Sequence, residues 1–189
     1  MEPQLESLRK EFEAIRNDAA SLVDGLSGAQ LTWQPKPGAW SINQCLAHLN
    51  LIDGQALPHL FKAIQLGRQN GQTGAGPFRW SWFARTFISH VEPPSKTKVP
   101  APKRFQPPAA EQPDPRETYL EFQRIQHDLS FLTGQADGLD LKGIKVPSPA
   151  GNWLKMSLGA RLDLIGAHDR RHLWQARRVF ENPNFPKKS

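Results

Sequence analysis

The chain has 189 residues, a single cysteine, and 24 basic against 18 acidic side chains, for a formal net charge of +6. One cysteine excludes an intramolecular disulfide framework. No apolar run is long enough to cross a bilayer, and Met1-Glu2-Pro3-Gln4-Leu5-Glu6 lacks the apolar centre of a signal peptide. The expectation is one cytoplasmic domain, residues 1–189, with enough chain to bury a sizeable core and no membrane partner.

The first helix is written as a stripe. Leu5, Leu8, Phe12, Ile15, Ala19, Leu22 and Leu26 recur at three and four, the period of an amphipathic helix, and Gly25 and Gly28 end it. The second starts at Ser41. Ser41-Ile42-Asn43-Gln44 reads as a capping box, with Trp40 and Cys45 placed for the accompanying staple. Its inner face is traced by Cys45, His48, Leu49, Ile52 and Ala56, and Pro58 is expected to kink or interrupt it near Leu57. Gln44 has a role in that box, although one turn before His48 it could also orient a ligand.

Residues 68–115 are the least regular. Trp80 to Val91 is consistent with a short helix, and prolines then crowd Glu92 to Pro115, which argues against regular structure. This length suits a long crossover laid outside a bundle. A third helix follows, with Asp114 as N-cap, Pro115 at the first position and Glu117 at the third. Thr118, Phe122, Ile125, Leu129 and Leu132 form its stripe. Gly143 to Pro147 pairs as a hairpin with Asn152 to Lys155, and Ser157 caps the fourth helix, which runs to about Asn182-Pro183. The fold class read from this is all-α: a four-helix bundle with a long Pro-rich crossover loop.

On the fourth helix, His168-Asp169-Arg170-Arg171-His172 places two histidines four apart, hence on one helix face. Leu158, Leu162, Ile165, His168, His172, Gln175 and Val179 continue the apolar stripe, so both imidazoles point inward. A polar group in a core needs a partner. A metal would satisfy both histidines, and His48 on another helix is a third candidate; the alternative is a set of core imidazoles bonded to each other or to backbone. His59, His90 and His127 have no partner at ligand spacing, and Asp169 falls between the ligand faces as a surface charge.

Trp33-x-Pro35-x-Pro37-Gly38-Ala39-Trp40-Ser41-Ile42, leading into Leu46-Ala47-His48-Leu49, resembles the start of the second helix in DinB-like proteins. Gly159 onward, through Ala167-His168-Asp169-Arg170-Arg171-His172-Leu173-Trp174-Gln175, resembles their last helix. The resemblance covers nearly the whole chain. It implies the four-helix bundle of the DinB/YfiT-like superfamily and a divalent metal held by His48, His168 and His172. It also implies that a second copy is a candidate partner, since homodimers are common there. Some relatives transfer low-molecular-weight thiols such as bacillithiol, mycothiol or glutathione, or isomerise maleylpyruvate with them; others are described as metal-dependent hydrolases.

Three neutral imidazoles suit Zn, Ni or Fe better than Ca or Mg. Three protein ligands leave a position for water or substrate, as catalytic sites do. Gln175, one turn beyond His172, could orient a ligand there. Arg170 and Arg171 are expected to pair with acids, and Cys45 to be a small core residue. Trp33, Trp40, Trp153 and Trp174 read as core and staple residues. The leading reading is a metal-dependent transferase or hydrolase acting on a small molecule, with a low-molecular-weight thiol as a candidate cosubstrate. The competing reading is a non-catalytic helical bundle that binds metal or a partner. The basic residues are scattered: Lys96, Lys98, Lys103 and Arg104 among prolines, Arg170, Arg171, Arg177 and Arg178 on the last helix, Lys187 and Lys188 at the tail. With no dense basic run interleaved with aromatics, charge argues against nucleic acid as the partner.

Overall fold

Glu2 opens the first helix, α1 (Pro3–Val23), its carboxylate accepting from the backbone N–H of Gln4 at 2.8 Å and Leu5 at 3.1 Å. Two of the donors orphaned at every helix start are satisfied in this way. The computed structural model of the chain describes residues 1–94, 103–107, 112–148 and 151–187. The helix stops at Val23, and Gly25 takes the left-handed turn (φ 67°). Leu26 is therefore outside it. A short helix, α2 (Gly28–Thr32), follows, closed by a capping box between Ser27 and Gln30. Sequence reading passed over this element because its Ser-x-x-Gln signal precedes only one turn.

The capping box at Ser41 and Gln44 forms as expected and starts α3 (Ile42–Gln69). Pro58 does not interrupt it; the 28 residues are one helix. A proline in a helix interior costs about 3 kcal/mol or more. The far half of α3 fully buries Leu60 and Ile64, and burial of such side chains stabilises by about 1.5–3 kcal/mol each, enough to carry the helix through.

Next come α4 (Trp82–Val91), a 3₁₀ turn at Lys103–Phe105, and α5 (Pro115–Gln135) with Asp114 accepting from the Glu117 N–H at 2.9 Å. A two-stranded antiparallel hairpin, β1 (Lys145–Ser148) and β2 (Gly151–Ser157), precedes α6 (Leu158–Phe180). Ser157 ends the strand and caps the helix. Of the Pro-rich crossing, 95–102 and 108–111 lie outside the described residues, as does the Trp153 side chain.

The four long helices form a ring in the order α1, α5, α3, α6, each packed on two neighbours. The core between them is built from Phe12, Leu49, Leu60, Phe122, Leu129, Leu158 and Leu162, all without exposed surface apart from traces. A second cluster of Leu22, Ile42, Cys45, Ala176 and Val179 closes one end, with Trp33, Trp40 and Phe185 against it. α4 lies outside the ring on α6. No described helix is long and apolar enough to cross a membrane.

Candidate metal centre

The contact between α3 and α6 brings the three histidines together. Ligand atoms of His48, His168 and His172 lie within 4.8 Å of one another. Ring centroids are 4.4 Å apart for His48 and His172, 4.6 Å for His168 and His172, and 5.2 Å for His48 and His168. His48 and His172 are buried, and His168 is partly exposed. The inward register read from the stripe is the register observed.

His48 has a fixed tautomer. Its Nδ1 lies 2.6 Å from the Phe105 carbonyl oxygen. A carbonyl can only accept, so Nδ1 carries the hydrogen and Nε2 keeps its lone pair. The Phe105 side chain is buried, which anchors this part of the crossing against α3. The segment expected to lie outside the bundle as loop thus reaches into the site at Phe105. A burial pattern cannot show this, because the atom concerned is backbone.

All three rings are held neutral. Burial lowers the His48 pKa, opposed by the Phe105 carbonyl. Burial pushes His168 down to about 3, helped by His48 and Arg171. Burial, then His168, His48 and Arg171, drives His172 well below its ordinary range, with the Gln175 side chain acting the other way. His172 Nδ1 is buried with no hydrogen-bond partner among the described residues. A buried nitrogen left unpaired costs about 1–3 kcal/mol, so the site has an unmet need for a Lewis acid or a donor. An ion shared by three neutral imidazoles meets it, which is the donor chemistry of Zn, Ni or Fe.

Trp40 forms a wall. Its ring lies 4.8 Å from His48 and stacks on His172 at 5.6 Å with 27° between planes. Sequence favoured a core and staple role for it. Gln44 serves the capping box, accepting from the Ser41 N–H at 3.1 Å and from Gln34 at 2.8 Å. Cys45 is fully buried, and burial pushes its thiol far up, as suits a core residue. Arg170 pairs with Glu11 and Glu92, tying α1 and the end of α4 to α6. Arg171 donates to the His90 carbonyl at 3.4 Å. His90 and His127 are exposed, and His59 is half-buried.

One expectation is overturned. Asp169 is not a surface charge; it has no exposed surface. Gln126 of α5 donates to its Oδ2 at 2.9 Å. Asp53 of α3 is equally buried and faces it, whereas Ile52, assigned to the inner face, is only half-buried. Burial, then Asp169, raises the Asp53 pKa well above the carboxylate range, and Arg161 opposes this. Burial raises Asp169 to about 7 against hydrogen bonds from Asp53 and Gln126. Asp53, Gln126 and Arg161 were missed because their neighbours fit an apolar stripe and polar residues default to the surface. The signal available was the spacing Leu49, Asp53, Ala56, Leu60.

Two cavities of about 450 and 350 Å³ are formed by described residues, one around Leu26, Gln30, Phe180 and Phe185, the other around Leu57, Phe61, Arg124 and Phe131. Neither is lined by the histidines. The site instead meets solvent at His168.

A ring of four long helices with three histidines converging from two of them defines a helical bundle with a candidate three-histidine metal centre. The DinB superfamily model matches residues 11–176, and the chain belongs to that superfamily. Among solved structures the chain is similar to YfiT from Bacillus subtilis, described as a probable metal-dependent hydrolase with an unusual four-helix bundle topology. The identity is 15%, covering 96% of this chain and 88% of that one, with a TM-score of 0.55. At that identity the likeness shows the shared fold. No curated protein matches the chain.

Proposed function

We propose that this protein is a metal-dependent enzyme that holds a divalent transition metal on His48, His168 and His172 and acts hydrolytically on a small molecule. The observation that carries this is the convergence of three neutral imidazoles, one with its Nδ1 committed to the Phe105 carbonyl and one with a buried Nδ1 that has no partner among the described residues. The naming of YfiT as a probable metal-dependent hydrolase supports the same reading.

A metal bound by three protein groups lowers the pKa of a ligated water or thiol and leaves a position for substrate. The chain's own residues do the rest. The Phe105 carbonyl aims His48. Trp40 covers His48 and His172 on one side and excludes water from that face. Arg171 keeps positive charge beside His168 and His172, which favours an anionic group in a substrate. Cys45 is sealed in the core, so a thiol used here comes from outside the protein.

The test is turnover by the metal-loaded protein of carboxylic ester, amide and phosphoester panels, against a parallel panel of electrophiles with added low-molecular-weight thiols. Hydrolysis lost in His168→Ala and His172→Ala is the expected result. Turnover only with an added thiol would make the protein a thiol transferase instead. Metal binding with no turnover in either panel would favour a non-catalytic bundle.

A further inference from the structure

Directly beside the three histidines lies a second cluster that the metal reading does not use. Carboxylate oxygens of Asp53 and Asp169 and a ring nitrogen of His168 lie within 4.8 Å of one another. Both carboxylates have no exposed surface. Apart from the contact that the two carboxyl groups make with each other, no donor among the described residues satisfies either oxygen of Asp53 or Oδ1 of Asp169. Gln126 holds only Oδ2 of Asp169. The nearby cation, Arg161, is buried and donates to the Pro147 carbonyl at 3.3 Å, while its Nε has no partner among the described residues. Two carboxyl groups meet one guanidinium, so both ionised would leave an excess of buried negative charge, and burial instead favours their protonated forms. Such charge is costly in a core unless something of opposite sign is near.

The neighbouring site has the opposite deficit. Three neutral imidazoles cancel none of a divalent ion's charge. A metal-ligating histidine also usually gives its other ring N–H to a carboxylate, carbonyl or water. His48 has the Phe105 carbonyl, and the Gln175 side chain acts on His172. For His168 the two carboxyl groups are the candidates among the described residues. They are supplied by the same two helices as the ligands: Asp53 follows His48 by five residues on α3, and Asp169 follows His168 directly on α6.

We propose that Asp53, backed by Asp169, is the positioning residue of this centre: it orients His168 and, ionised beside a bound metal, supplies the negative charge the three imidazoles lack. This rests on the metal reading above. Asp169 is clamped by Gln126, so Asp53, whose hydrogen bonding stays within the carboxyl pair among the described residues, is the member able to turn toward His168.

The test is metal affinity, measured with Zn²⁺ by chelator competition and with Co²⁺ by its visible spectrum, in Asp53→Asn, which keeps the shape and removes the charge. A loss of about ten- to a hundred-fold in affinity is expected, with an altered cobalt spectrum and a metal-free melting temperature equal to or above that of the parent. Asp169→Asn should give a smaller loss. Unchanged affinity in Asp53→Asn overturns the proposal. So does a metal-free Asp53→Asn that fails to fold or melts far lower, since the pair would then belong to the scaffold. A parent protein that takes up no divalent metal would defeat the three-histidine reading itself, whereas a parent and variant that bind alike defeat only this one.

Discussion

The Phe105 carbonyl accepts a 2.6 Å hydrogen bond from Nδ1 of His48, joining the Pro-rich crossing to the centre of the bundle. This one bond selects the tautomer that leaves Nε2 as the ligand atom. Metal affinity is therefore expected to depend on a residue outside the four long helices. Phe105→Ala removes the buried ring that anchors the turn. Its expected outcome is a roughly tenfold loss of Zn²⁺ affinity, as for other outer partners of metal-bound histidines, with helical circular dichroism unchanged. Undiminished affinity would show that the turn does not set the ligand.

Trp40 stacks on His172 and tilts against His48, so metal binding should be visible in its fluorescence. Titration with Ni²⁺ or Co²⁺ is expected to quench tryptophan emission in the parent. Most of that quenching should vanish in Trp40→Phe. Equal quenching in both would place the bound ion away from this wall.

How much of this was legible beforehand divides by type of residue. The caps at Ser41, Asp114 and Ser157 and the inward register of His168 and His172 follow from local rules, and the structure has them. Pro58 does not interrupt α3, because packing on both halves of the helix outweighs one missing hydrogen bond. Asp53, Asp169 and Arg161 break the local rule, at the point where polar groups are buried together. Their burial depends on which helices become neighbours, α3 with α6 and α5 with α3, and a single helix read alone does not contain that. The Phe105 contact was illegible for a different reason, since any residue offers the same carbonyl.

Acid should destabilise the metal-free protein through these histidines. The ordinary value is 6.5, and His168 in the fold is pushed down to about 3. Between those values the unfolded chain binds a proton that the folded chain refuses, so stability falls as pH falls through 6.5 toward 3. Asp169 acts with the opposite sign. Raised from 3.8 to about 7, it keeps a proton in the fold that the unfolded chain has released, so its contribution falls as pH rises through that range. The histidine share is isolated by comparing the metal-free parent with His168→Gln. Acidification below 6.5 should lower the parent's melting temperature relative to the variant's. A constant difference across that range would mean the ring is not held neutral by burial.

Gly159 opens α6 beneath the Trp80 ring, and a Cβ there would overlap the indole. Trp80 Nε1 donates to Asp163 at 2.9 Å, holding the segment before α4 against the bundle. Gly159→Ala should expel the ring at a cost of about 1–3 kcal/mol, the usual range for overpacking. The readouts are a lower melting temperature and red-shifted tryptophan emission. Adding Trp80→Leu should recover part of the loss; failure to recover any would separate the two residues.

The central claim is that His48, His168 and His172 hold one metal ion, and metal stoichiometry with affinity tests it most directly. The purified protein, stripped and titrated with Zn²⁺, is expected to bind one ion per chain tightly. His48→Ala, His168→Ala and His172→Ala should each weaken that binding by at least a hundredfold, as expected for loss of a ligand rather than of an outer partner, and leave the bundle folded. A parent that binds no ion, or a triple variant that binds as the parent does, would contradict the account.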